Sequence, residues 1–173
     1  MRDEYEWKKK VIKNGIVFSG GIQGKYDIVI DEMGKVEEVV TQGQYEETGG
    51  EEVTDAKGLF IVPGGVDAHV HLDYSMGDIK TTDGFYDGTK AALAGGTTTI
   101  IDFCQPIPGQ DAKECIRARK NLAAHSVSDY AFHFIFTEEY KKQLRQIEEI
   151  RSEGIGSFKT YTTYDHITLN RGI

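Results

Sequence analysis

After Pro63-Gly64-Gly65 the chain reads as four strand units in succession with helices between them, a pattern that argues for parallel βα units. The strand candidates are residues 66–72, 97–103, 129–136 and 156–161. Between them, 85–94 has helical character and stops at Gly95-Gly96, a glycine end signal. Residues 111–124 place Ala112, Cys115, Ile116, Leu122 and Ala123 on one helical face, and 138–153 does the same with Tyr140, Leu144, Ile147 and Ile150 before Gly154. Four parallel strands open either a doubly wound sheet or a (β/α)8 barrel. The dinucleotide-binding version of the first carries GxGxxG after a strand, which is absent here, so the barrel is favoured. A full barrel takes roughly 250 residues, and only about 110 follow Gly65, so the barrel in this chain is expected to be incomplete.

Residues 1–62 read differently, as a small β unit of β-sandwich type. Its strands are VIKNGIVF, KYDIVID, KVEEVV and LFIV, with Asn14-Gly15 and Met33-Gly34 as turn signals and an exposed acidic, glycine-rich loop over 42–52. The expected organisation is therefore a β unit over 1–62 and the first half of a barrel over 63–173.

Charge narrows the partners. A formal net charge of −8, with Lys8 to Lys10 as the only basic run, argues against a nucleic-acid surface. No segment approaches the ~20 apolar residues of a membrane helix, and the charged start MRDEYEWKKK is not a secretory signal. The expectation is a cytoplasmic protein with no membrane partner. Cys104 and Cys115, the 2 cysteines, form no CxxC pair and are read as buried small apolar residues.

The first barrel strand carries the chemistry. Successive strand residues point to opposite faces, so Val66, Ala68, Val70 and Leu72 share an apolar face while Asp67, His69 and His71 share the other. Two imidazoles and a carboxylate pointing into a barrel need partners. A metal ion is the most economical one, and barrel active sites lie at the C-terminal ends of strands. Taken alone, an HxH pair also fits two ordinary hydrogen-bonded histidines.

Three blocks in order, VPGGVDAHVHLDY, FYDGTKAALAGGTTTIIDF and GSFKTYTTY, resemble the hydantoinases and dihydropyrimidinases of the amidohydrolase superfamily. The resemblance runs from about Val11, including the KNG and DIVI pieces, and corresponds to the N-terminal half of such an enzyme. It implies metal-dependent hydrolysis of a small cyclic amide, with a hydantoin or dihydropyrimidine ring opened by a metal-bridging hydroxide. His69 and His71 would bind the more buried of two divalent ions, with zinc the expected metal. Lys159 would be carboxylated by carbon dioxide and bridge the pair. An ordinary lysine amine, with a pKa near ~10.4, is a cation without a lone pair at neutral pH, whereas a carbamate is an anionic two-oxygen ligand.

The resemblance further implies that Tyr164 binds substrate and donates a hydrogen bond to the developing oxyanion, and that Asp67 supports the metal site from behind. Tyr74 and Met76, in LDYSMGDIKTTDGF, would line the pocket for the ring's exocyclic group. Allantoinases and dihydroorotases carry an acidic-Pro-Gly segment after HxH, which this loop lacks. His133 is read as structural, and His125 and His166 are assigned no role. The family's remaining two histidines and aspartate have no counterpart before Ile173, so the chain is expected to be a fragment, inactive alone, of an enzyme whose relatives are homotetramers. The alternative from another class is a non-catalytic scaffold like the collapsin-response mediator proteins. Those relatives have lost the HxH pair and the lysine, and this chain keeps all three.

Overall fold

The computed structural model of the chain describes residues 8–76 and 78–161. Contacts divide the chain into two compact units, Met1–Pro63 and Gly64–Ile173.

The first unit is a five-stranded mixed sheet. Strands β1 (Lys10–Ser19), β2 (Ile22–Ile30) and β3 (Val36–Thr41) form an antiparallel meander, while β4 (Glu52–Asp55) and β5 (Phe60–Ile61) both pair with β1 in parallel. Val11, Val17, Val29 and Ala56 are its buried apolar residues. Met33-Gly34 lies in the β2–β3 turn as expected, but Asn14-Gly15 is not a turn. It is a bulge inside β1, where the register with β2 shifts between Ile12 and Gly15 and Asn14 takes a φ of 67°.

The buried Asp27 explains the bulge. Its carboxylate accepts the backbone N–H of Asn14 at 3.0 Å and that of Gly43 at 2.8 Å. Gly15 leaves room beside it, because a Cβ there would lie 2.2 Å from Ile61 Cδ1 and force that side chain to move. The β1–β2 reversal falls instead at Gly20-Gly21, both at positive φ, which matches the twist of a two-residue hairpin. Strand β4 is an addition to the sequence reading, because its polar EVTD run carries no apolar alternation.

The second unit is a parallel sheet in the order β11-β10-β9-β6. Strand β6 (Gly65–Asp67) leads through the hairpin β7 (Ser75–Met76) and β8 (Ile79–Lys80) to helix α1 (Phe85–Ala94). Strand β9 (Thr97–Cys104) is followed by α2 (Ala112–Ala123), and β10 (Asp129–Ile135) by α3 (Tyr140–Leu144), α4 (Ile147–Ser152) and β11 (Phe158–Lys159). Phe85, Ile100, Cys115, Ile116, Phe134 and Ile150 are among the residues of one core between strands and helices.

Helix α1 ends where Gly95-Gly96 predicts, with Gly96 at φ 88°. Two expectations are corrected. The single helix over 138–153 is two, because Arg145 and Gln146 donate to residues three back instead of four and tighten the chain into a break. The strand expected over 66–72 ends at Asp67, and Val66 on its outward face is 62% exposed. Beyond Asp67 the chain still follows β9: Val70 N–H donates to the Ile101 carbonyl at 3.2 Å and Leu72 N–H to the Asp102 carboxylate at 3.0 Å. The strand expected over 156–161 likewise shortens to β11.

Both cysteines are buried, as the sequence suggests. Burial pushes the Cys115 thiol up to about 12 and raises Cys104 as well, so neither is a thiolate at neutral pH. A disulfide reagent at pH 8 should label neither thiol in the native protein and both in denaturant. Fast labelling of a native thiol would contradict the packing.

Candidate metal centre

Strand parity selects the side chains on the inner face of the sheet. On β9, Ile100, Asp102 and Cys104 face the helices, so Phe103 faces the other way. Phe103 gathers the site around its ring. The imidazoles of His69 and His71 each lie with their centroids 4.7 Å from it, His71 nearly parallel at 25°, and His133 lies 5.0 Å away. From β11, the Lys159 ammonium sits 4.3 Å from the same centroid, a cation–π contact, and 5.0 Å from that of Tyr161.

The two arms meet above the ring. Lys159 Nζ lies 3.3 Å from His69 Nε2, and the His69 and His71 rings are 5.2 Å apart, edge to face. Burial, then the charge of Lys159, hold the His71 pKa below the ordinary imidazole value, so its neutral form with a free lone pair is favoured. His71 Nδ1 is buried with no hydrogen-bond partner. Among the described residues no cluster of three or more His, Cys, Asp and Glu side chains could hold a metal. Here two imidazoles converge with a lysine.

Asp67 reaches the backbone rather than a ring: its carboxylate accepts the His69 N–H at 3.1 Å and fixes the bend into the HxH segment. The tyrosine after that segment, Tyr74, packs its ring 4.8 Å from His71 and donates its hydroxyl to Gln105 Oε1 at 2.9 Å. It also lines a cleft of about 230 Å³ with Phe103, Gln105, Ile107, Arg119 and Leu122. Met76 pairs with Ile79 through β7 and β8, while its side chain lies outside the described part of the structure. Tyr164 and His166 lie outside the described residues.

Sequence reasoning passed over a buried ion pair behind the HxH segment. Asp102 is wholly buried and its carboxylate bonds Arg119 of α2 at 2.7 Å. The Arg119 guanidinium also donates to the carbonyls of Leu72 and Asp73, so helix, strand and loop are locked together directly after His71. Asp73 takes a φ of 44° and accepts the Phe85 N–H at the start of α1 at 3.1 Å. The signal was present: a carboxylate inside the apolar run TIIDFC needs a partner, and Arg119 lies four residues after Cys115 on the buried stripe of its helix.

A curved set of parallel βα units with imidazoles at the C-terminal end of its first strand is the arrangement of an amidohydrolase, and the chain belongs to the amidohydrolase family, whose pattern matches residues 60–164. Within that family it is similar to the D-hydantoinase of Geobacillus stearothermophilus, with 39% identity over 160 residues, covering 91% of this chain and 33% of the relative. It is also 38% identical over 162 residues to the D-phenylhydantoinase of Escherichia coli (strain K12), covering 90% and 34%.

Solved structures agree. A D-hydantoinase superposes with a TM-score of 0.80 at 37% identity, covering 92% of this chain and 34% of that one. The dihydropyrimidinase from Brevibacillus agri NCHU1002 does so with 0.79 at 35% identity, covering 93% and 34%. The chain thus spans about a third of the length of these relatives. Both the resemblance read from the three sequence blocks and the fold expected from it, the N-terminal portion of a (β/α)8 amidohydrolase barrel preceded by a β unit, are borne out. The family is generally metal-dependent. No helix among the described residues is long and apolar enough to cross a membrane.

Proposed function

We propose that this chain is the N-terminal portion of a longer cyclic amidohydrolase that opens hydantoin or dihydropyrimidine rings, and that it contributes His69, His71 and Lys159 to a two-metal site. The observation that carries the reading is the convergence of Lys159 Nζ and His69 Nε2 at 3.3 Å, with His71 beside them on Phe103. The donor set fits a metal. The lone pair of His69 that faces the lysine is the one a divalent ion would take, and the lowered pKa of His71 keeps its imidazole neutral. His69, His71 and a carboxylated Lys159 would hold the ions, zinc by expectation. When bound they supply Lewis-acid polarisation of the ring carbonyl and acidify a water.

The residues of the chain do the rest. The Lys159 ammonium would give one proton to water, and the neutral amine would then add to the carbon of carbon dioxide and release a second proton to water, which leaves an anionic carbamate in place of a cation. Asp67 holds the backbone at His69, and Tyr74, between His71 and the cleft, contacts the exocyclic group together with Met76. Tyr164 donates a hydrogen bond to the oxyanion as the ring carbonyl is attacked. The working form is a cytoplasmic homo-oligomer.

Specificity constants of the full-length form for hydantoin, dihydrouracil, allantoin and dihydroorotate test the substrate class. The first two should exceed the last two by orders of magnitude. A preference for allantoin or dihydroorotate would overturn the reading.

A further inference from the structure

The inner face of the sheet also carries His133, whose ring lies 5.0 Å from that of Phe103. His133 stands on β10 opposite Phe103, and its ring makes two hydrogen bonds in opposite directions across the sheet. Nε2 lies 3.0 Å from the carbonyl oxygen of Ala68, the residue between Asp67 and His69. Nδ1 is within hydrogen-bond distance of the hydroxyl of Ser157, the residue just before β11 and two before Lys159. A carbonyl can only accept, so Nε2 carries the hydrogen, and with Nδ1 unprotonated the ring accepts the serine hydroxyl there. One imidazole thus ties the segment bearing His69 to the strand bearing Lys159, two segments with both β9 and β10 between them. The tie also accounts for the early end of β6, since the Ala68 carbonyl turns inward to His133.

We propose that His133 is a positioning residue for the metal centre: by holding Ala68 and Ser157 it sets the span between the histidine arm and the lysine arm. The inference rests on the metal-site reading above. It goes beyond packing, because packing needs only the ring, while positioning needs the donor at Nε2 and the acceptor at Nδ1.

The test uses the full-length form with cobalt(II) as probe in bicarbonate buffer, reading affinity by chelator competition and the visible spectrum of the bound ion. His133→Phe keeps a ring of similar size without either hydrogen bond, and should weaken cobalt binding by about 10- to 100-fold with an altered spectrum. His133→Gln presents a carboxamide that can donate to Ala68, and should recover most of the loss. Ser157→Ala removes only the second tie and should give a smaller loss. Cobalt affinity and spectrum in His133→Phe equal to those of the unsubstituted protein would overturn the proposal. If that variant does not fold, unchanged affinity and spectrum in Ser157→Ala would overturn it. His69→Ala, run alongside, separates the two levels. Undiminished binding there rejects the ligand assignment itself, whereas loss there with full binding in His133→Phe rejects only the role of His133.

Discussion

Replacing His69 or Lys159 by alanine in the full-length form is expected to abolish binding of the metal pair and ring-opening activity together. The two side chains come from opposite ends of the four-stranded sheet yet meet at 3.3 Å, so each variant removes one whole arm. The losses should differ in character. His69→Ala deletes a nitrogen ligand and leaves Lys159 over Phe103, whereas Lys159→Ala deletes the group that carbon dioxide would make anionic. Added bicarbonate should therefore raise metal occupancy in the unsubstituted protein and have no effect in Lys159→Ala. Elemental analysis finding two equivalents of metal in both purified variants would refute the assignment.

Arg119→Met should cost about 3–5 kcal/mol of stability, because it leaves the Asp102 carboxylate buried and unpaired. In Asp102→Leu/Arg119→Met neither charge of the pair remains, and much of that loss should return. Recovery should stop short of complete. The Leu72 N–H, which donates to Asp102, and the Leu72 and Asp73 carbonyls, which accept from Arg119, lose their partners in the double variant. Urea midpoints of the single and double variants measure both quantities. Single and double variants within 1 kcal/mol of the unsubstituted protein, on the order of a surface substitution, would show that the pair does not lock the loop.

How much of this was legible in the sequence depends on the range of the interaction. Helix α1 and strands β9 and β10 were readable because local signals decide them, the apolar run in one case and Gly95-Gly96 in another. That His69 and His71 lie side by side, 5.2 Å apart, agrees with the parity expected for 66–72, although the strand itself ends at Asp67. The end of β6 was not readable, since it depends on where the Ala68 carbonyl finds its partner, His133, 65 residues away. The break between α3 and α4 has the same character. Gln143 within α3 is buried, bonding Thr137 through both its amide oxygen and nitrogen, and Gln146 reaches Asp111; neither contact leaves a mark on the 3.6-residue period. Asn14-Gly15 misled for a related reason, because a dipeptide that suits a turn also suits a bulge, and Asp27 on the next strand selects between them. Lys159 was assigned through the resemblance, as no periodicity distinguishes it from a solvated lysine.

The strand order of the second unit has a kinetic consequence. Each strand of β6, β9, β10 and β11 lies beside its neighbours in sequence, so every pairing closes a loop of similar, modest length and the sheet can grow one strand at a time as the chain is synthesised. The bond from His133 to Ala68 obeys a different schedule. It skips a strand, and it can form only after β9 has docked and β10 has arrived beside it. The scaffold is thus laid down by short-range closures, and the segment bearing His69 is tied to β10 afterwards by a longer-range one. Chains caught between the two stages would hold the sheet with the histidine arm still loose.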